Sequence, residues 1–265
     1  VDSITQIRKQ EQAQMREYMD YKGCLMEFLE RALDATSPQK CGKCINCNSA
    51  LLLEDKIDDE LVNQATKFLR TNYIRIEPRK QWPLKGMFDN YDFEAKNITE
   101  EFRYSEGKAL SLWRDAGWGK LVYIGKYKTG KFDDRLVNAC VEMILEWSPS
   151  PKPMWVTCIP SLKHPNLVPD FAERLASSLG LPYIPCISKI KDNSEQKLMD
   201  NSFQQAKNLD GVFSIDSNIR DTPCLLVDDM IDSRWTLTVA AALLRSAGCE
   251  AVFPLALALN SPRMD

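Results

Sequence analysis

The sequence predicts an α/β protein preceded by a small helical metal module, and three observations carry that reading. In the second half, near-continuous apolar runs alternate with helical segments, the pattern of a parallel sheet covered on both faces. Near the start, Cys24, Cys41, Cys44 and Cys47 form C-x16-C-x2-C-x2-C. The length of 265 residues, with 44% apolar and 27% charged side chains, suits two or three compact units that each need a core. That composition excludes a disordered or collagen-like chain. The longest apolar runs, 239–244 and 251–259, fall far short of the ~20 residues that cross a bilayer, so no membrane partner is expected. The chain opens on Val-Asp-Ser-Ile-Thr with no basic-then-apolar signal region. The expectation is a piece of a longer, cytoplasmic protein.

Taken in order, Ile7, Met15, Tyr18, Met19, Leu25, Met26, Leu29 and Leu33 suit two helices within 4–33 that meet near Gly23. The four cysteines that follow bracket a loop. Two-residue spacers let successive thiolates point at one centre, and four soft ligands in a tetrahedron suit Zn²⁺. Gly42 supplies the tight turn, and Lys43 offsets part of the thiolate charge. His164 is the single histidine, so all four ligands must be cysteines and a Ser-His-Asp triad has only one candidate base. A disulfide pair or four unconnected thiols are the alternatives. Cys140, Cys158, Cys186, Cys224 and Cys249 stand singly in apolar surroundings and read as small core hydrophobes. This first module spans 1–52.

The next segment, 53–108, reads as a small α+β module. Ile57, Leu61, Ala65, Phe68 and Leu69 repeat at helical spacing behind an acidic first turn, Asp58-Asp59-Glu60. Residues 73–77 alternate like a strand until Pro78 stops them. Helix, strand and then a basic tip fit a winged-helix-like or connecting unit. Arg79, Lys80 and Trp82 at that tip combine phosphate-holding cations with a flat indole that stacks on bases; the alternative is a solvated turn with Trp82 packed on the core. The net charge of −3 hides an asymmetry. Between Arg103 and Lys131 seven basic residues face two acidic ones, among them Lys120, Lys126, Lys128 and Lys131, whereas the last sixty or so residues are acidic. Such a basic centre fits either a polyanion such as single-stranded or forked DNA, or a merely solvated face.

In 109–265 the strand–helix alternation is explicit. A short apolar run at 121–123 precedes a helix at 134–147; strands follow at 154–159, 183–187, 224–227 and 251–259, with helices at 168–179 and 237–247. Ligands of such sheets bind at the carboxyl ends of the strands. After the strand at 224–227 the chain reads Asp228-Asp229-Met-Ile-Asp232-Ser233-Arg234-Trp235-Thr236. Two carboxylates at a strand tip can meet ribose hydroxyls or a hydrated Mg²⁺, and loop amides opening a helix receive phosphate.

Met15-x-x-Tyr18, Cys24 and Cys41-Gly-Lys-Cys44-Ile-Asn-Cys47 resemble the zinc-binding subdomain of RecQ-family DNA helicases over about the first 50 residues. The family's basic pair after the first cysteine is replaced here by Leu25-Met26, which removes a DNA contact expected from that helix. The second half resembles type I phosphoribosyltransferases, closest to the competence-protein branch of that fold. The resemblance implies that Asp228 and Asp229 meet the ribose. It further implies that Asp232, Ser233, Arg234 and Thr236 lie in the 5-phosphate loop, and that Pro160 and Ser161 occupy the pyrophosphate loop. Gln196, Asn208 and Phe213 then fall in the hood. The departure is Arg234-Trp235 where the family has Gly and a small residue, because a left-handed backbone costs Arg roughly 1 kcal/mol.

Together the two resemblances imply the accessory DNA-binding and coupling region of an ATP-dependent 3′ to 5′ DNA helicase, with its motor lobes absent. No Gly-x-x-x-x-Gly-Lys-Ser/Thr occurs, so this piece should not hydrolyse ATP, and the transferase fold is expected to be without a catalytic residue. The rival expectations are an active phosphoribosyltransferase using Mg²⁺ and a ribose 5-phosphate donor, and a module that binds a partner protein.

Overall fold

The computed structural model describes residues 2–48, 57–191, 201–216 and 219–260. They form two compact units, 1–61 and 62–265. In the first, α1 (Asp2–Asp20) and α2 (Leu25–Ala32) meet at the predicted turn. Gly23 leaves room there for the Tyr21 ring, which lies 2.6 Å from where a Cβ would stand. Tyr18 and Tyr21 pack on Phe28, with ring centroids 5.5 and 5.0 Å apart. Among the described residues of this unit only Cys24 is buried. Its helices therefore have almost no hydrophobic core to hold them.

The second unit is a mixed α/β sandwich of three layers. After α3 (Asp59–Thr71), whose first residues belong to the first unit, come β1 (Ile74–Ile76), β2 (Gly107–Ala109), α4 (Gly119–Ile124) and α5 (Asp134–Trp147). Next are β3 (Trp155–Cys158), α6 (Leu167–Leu179), β4 (Ile187–Lys189), α7 (Ser202–Lys207) and β5 (Phe213–Ile215). The last are β6 (Cys224–Ile231), α8 (Trp235–Ser246) and β7 (Val252–Leu259). The main sheet has the order β1-β2-β7-β6-β3, parallel except for the antiparallel edge strand β1. β4 and β5 form a separate antiparallel ribbon.

Alternation along the strands feeds two cores. Leu225 and Val227 of β6 and Phe253, Leu255 and Leu257 of β7 meet α5 and α6. Cys224, Leu226, Val252 and Ala256 face the opposite way, towards α8 and the segment 82–98. That segment is tied down by Asp210, whose carboxylate accepts the N–H groups of Asp89 and Asn90 at 2.9 Å. Lys207 reaches Met87 O at 2.6 Å and Asp89 at 2.7 Å, and Tyr91 exchanges both hydrogen bonds with the backbone of Phe213.

Several expectations change. Ile74–Ile76 is an edge of the large sheet, paired with β2, and not the wing of a separate module. Residues 121–123 lie in α4, and Tyr183 makes only an isolated bridge to Val156. β2 and the β4–β5 ribbon have no apolar run that announces them. Trp82 is 3% exposed; it stacks on Phe93 at 5.1 Å and on Trp235 at 6.0 Å. It is a core residue and not a base-stacking tip, because the surrounding aromatics offer it more apolar area than any turn does. No helix among the described residues is long and apolar enough to cross a membrane.

Trp82→Ala should therefore act on stability. Truncating a buried Trp costs about 3–5 kcal/mol, so the urea midpoint of the α/β unit should fall sharply while Trp82→Phe recovers much of it. An unchanged midpoint would place the indole at the surface.

Candidate metal centre and acidic sheet-edge site

In the first unit the four sulfurs of Cys24, Cys41, Cys44 and Cys47 lie within 4.8 Å of one another. Tetrahedral thiolates at ~2.3 Å from one ion sit about 3.8 Å apart, so the group fits a metal ion. Cys24 caps α2, its sulfur accepting the N–H groups of Glu27 at 3.4 Å and Cys41 at 3.2 Å. Leu25 N–H points at Cys44 Sγ from 3.4 Å, and the Lys43 and Cys44 N–H groups point at Cys41 Sγ. Backbone donors aimed at sulfur stabilise thiolate over thiol. The Cys41 and Glu27 N–H groups hold Cys24 below the usual thiol range. At Cys44 burial opposes ionisation, yet the Leu25 N–H and the neighbouring thiols outweigh it and bring it down to about 6. Hydrogen bonds to Cys44 and Cys24 push Cys47 up to about 12. Asn46 Nδ2 donates to Tyr21 O at 2.6 Å and Gly23 O at 2.8 Å, anchoring the loop to the helix junction.

In the second unit the structure brings the acidic pair, the loop 232–236 and Pro160-Ser161 to one edge of the sheet. Ile159 N–H donates to Val227 O at 2.9 Å, which puts the turn after β3 beside the carboxylates. Asp228 and Asp229 do not stand beyond the strand. β6 runs on to Ile231, with Asp228 opposite Ala256, and each carboxylate is only 9% exposed. Burial, then the charge of Asp229, raises Asp228 to about 8. Both causes favour its neutral form, which can donate a hydrogen bond.

Asp229 has a partner that the sequence did not announce. Lys126 Nζ lies 2.8 Å from Oδ2 and 3.0 Å from Oδ1. Lys126 comes from a widened helical turn, Gly125–Thr129, that continues α4, a distortion often found at functional sites. Burial disfavours its charge, but Asp229 outweighs that and holds Lys126 above its usual range. Lys126 is thus half-buried in an ion pair, not a free DNA contact as expected. Its length lets it replace a cation at the pair.

The loop differs from expectation in how it is held. Arg234 sits at φ 67°, in the left-handed region, and caps α8. Its carbonyl accepts Thr238 Oγ1 at 2.9 Å, and its guanidinium reaches Glu77 O at 3.3 Å. Arg79 is not a basic tip either. It donates to Ser233 O at 3.0 and 2.8 Å and lies 4.0 Å over the Trp235 ring, so the chain after β1 braces the loop. Asp232 accepts Asn260 Nδ2 at 3.5 Å. Ser161 Oγ accepts the His164 N–H at 3.3 Å, and Thr236 is half-buried in the first turn of α8. Of the remaining cationic candidates, Lys80, Lys120, Lys128 and Lys131 are exposed. Asn208 ends α7 and Phe213 is a core residue of β5; Gln196 lies outside the described residues.

No protein-family model matches the chain. A stretch of 96 residues is 32% identical to the ribose-phosphate pyrophosphokinase of Haemophilus influenzae, covering 36% of this chain and 28% of that protein. The Haemophilus ducreyi ribose-phosphate pyrophosphokinase is 34% identical over 77 residues, 29% of this chain and 24% of that one. The match thus spans about a quarter of these relatives. Among solved structures, adenine phosphoribosyltransferase from Saccharomyces cerevisiae has a TM-score of 0.36 at 14% identity, over 75% of this chain and 89% of that one. The Leishmania tarentolae enzyme has 0.33 at 13%, over 48% and 69%.

The Asp228 carboxyl predicts a pH dependence. Its folded pKa lies above the ordinary carboxyl value, so the native state holds a proton that the unfolded chain has released, and stability must fall as pH rises from about 4 towards about 8. Asp228→Asn should remove that fall. Equal slopes of unfolding free energy against pH for the two proteins would show that Asp228 ionises normally.

Proposed function

We propose that the chain is the accessory, DNA-engaging region of a RecQ-like ATP-dependent DNA helicase. In this reading a zinc-stapled helical module is joined to a phosphoribosyltransferase-type domain that binds and couples without transferring phosphoribosyl groups. One observation carries the reading: four thiols in the RecQ-like spacing converge within 4.8 Å in a unit where, among the described residues, only Cys24 is buried. Zn²⁺ suits such an all-sulfur set. Two features of the second unit support a non-catalytic role. Arg234 fills the turn at φ 67° where backbone must approach a phosphate, and Lys126 already neutralises Asp229. Hydrolysis of ATP belongs to motor lobes outside this sequence. The exposed cations Lys80, Lys120, Lys128 and Lys131 take over the phosphate contacts, since Arg79, Trp82 and Lys126 are engaged elsewhere.

A second reading, ribose-phosphate binding or transfer with Mg²⁺, is favoured by the stretch shared with ribose-phosphate pyrophosphokinases. In it Asp228 and Asp229 meet ribose hydroxyls, and Asp232, Ser233 and Thr236 line the phosphate end. Mg²⁺ would then have to displace the Lys126 ammonium.

Freshly purified protein should carry one equivalent of zinc by elemental analysis, and Cys44→Ser or chelation should unfold the first unit while the α/β unit keeps its own thermal transition. Zinc-free protein with four freely alkylated thiols would remove the site. DNA affinity should fall with rising salt, each phosphate contact contributing about 0.7 to the log–log slope for single strands. Lys120→Ala and Lys128→Ala should each flatten that slope, and Lys126→Ala should not. Calorimetry with a ribose 5-phosphate ligand and Mg²⁺ separates the readings. Tight binding lost in Asp229→Asn, with pyrophosphate released on turnover, would move the conclusion to transfer.

A further inference from the structure

The loop after β2 and the helix that follows it build a surface that neither site uses. Trp113, Tyr123 and Tyr127 form a triangle of rings, with centroids 5.9, 5.9 and 5.4 Å apart. Arg114 lays its guanidinium 4.3 Å over Tyr123 and 5.9 Å from Trp113. Tyr127 is 52% exposed, which is unusual for an aromatic that already has two ring neighbours. The turn that buries Lys126 against Asp229 is the one that presents Tyr127 to solvent.

This surface is held rigid from beneath. Trp113 N–H donates to Leu259 O at 2.9 Å, at the end of the central strand β7. The Asp115 carboxylate accepts the N–H groups of Leu112, Gly117 and Gly119 at 2.9, 2.9 and 2.8 Å. Gly119 has no room for a side chain, since a Cβ would fall 2.0 Å from Leu112 O. Arg114 itself stands at φ 65°, a conformation that costs a non-glycine residue energy and persists only where its surroundings enforce it. The cost is met at the residue that caps the rings with a cation.

Cations outnumber acids along the segment that carries the rings: between Trp113 and Lys131 stand Arg114, Lys120, Lys126, Lys128 and Lys131 against Asp115 alone. Lys120 lies one helical turn before Tyr123, Lys128 follows Tyr127, and Lys131 closes the loop; all three are exposed. Among the described residues none of them, nor Arg114, has a carboxylate within ion-pairing distance. Asp115 accepts its three N–H groups, and Asp229 is paired with Lys126 beside Tyr127.

We infer that Trp113, Tyr123 and Tyr127, capped by Arg114 and rimmed by Lys120, Lys128 and Lys131, are a stacking platform for single-stranded nucleic acid. Bases stack on exposed ring faces whatever their sequence, and the flanking cations take the phosphates. The inference rests on the DNA-binding reading above and names the surface that carries it.

The test uses the full chain, zinc included, and oligonucleotides carrying 2-aminopurine or 5-iododeoxyuridine. Tyr127 is exposed, so Tyr127→Ala should fold normally. It should weaken single-strand binding about 5- to 150-fold with an unchanged salt slope, and Tyr127→Phe should restore it. Lys128→Ala should instead lower the slope by about 0.7. Photocross-links on the unaltered protein should map to Trp113, Tyr123 or Tyr127. If the chain retains DNA but Tyr127→Ala is silent, or cross-links map elsewhere, the platform falls and the DNA-binding reading stands. If the unaltered chain retains no DNA even at low salt, both fall. Full displacement by a mononucleotide would make the rings a nucleotide pocket, and self-association lost in Tyr127→Ala would make them a contact between copies; either result overturns the strand assignment.

Discussion

The burial of β6 and β7 on both faces governs the α/β unit. Each strand has helices or packed loops above and below it, so every side chain along its length must be apolar or matched. Nearly all are apolar: Leu225, Leu226, Val227, Val252, Leu255, Ala256 and Leu257 are wholly or almost wholly buried. Asp228 and Asp229 break the run inside the strand, and the rest of the site answers to that break. Burial and the neighbouring charge push Asp228 towards its neutral form, and Asp229 pairs with Lys126 from a widened helical turn. An acidic pair in this position is therefore a feature the fold has to stabilise.

The first unit works by the opposite logic. With Cys24 alone buried among its described residues, its helices have little to gain from hydrophobic packing. What organises the loop is polar: backbone N–H groups converge on sulfur, and Asn46 bridges two carbonyls at the helix junction. Four sulfurs within 4.8 Å of one another are placed so that a single metal ion could be held by all four. One chain thus holds a unit organised by its core and a unit organised by polar contacts around four sulfurs, and the two should respond to different insults.

Much of this was legible in the residues. The helix Asp134–Trp147 appears with the bounds its pattern gave, and the cysteine spacing converges as its two-residue steps suggested. Legibility ends where distance in sequence takes over. Gly107–Ala109 is three residues with no apolar run, and only pairing with Leu255 and Ala256 makes it a strand. Lys126 looks like any surface lysine until the turn around it widens and brings Asp229 within reach. Trp82 and Arg79 sit in a segment that reads as a polar tip, yet the indole is core and the guanidinium braces Ser233. In each case local pattern was overruled by a partner from elsewhere in the fold.

The order of strands in the main sheet carries a further consequence. β7, the latest in sequence of the described strands, is the middle one, with β2 on one side and β6 on the other. Before β7 is made, the main sheet consists of two half-sheets, β1-β2 and β6-β3, with raw edges facing an empty lane. Such edges recruit strands from other molecules, and closure over so long a stretch of chain is slow. A ribosome that stalled just before β7 would release the most adhesive version of this protein, whereas the completed chain seals both edges with one strand.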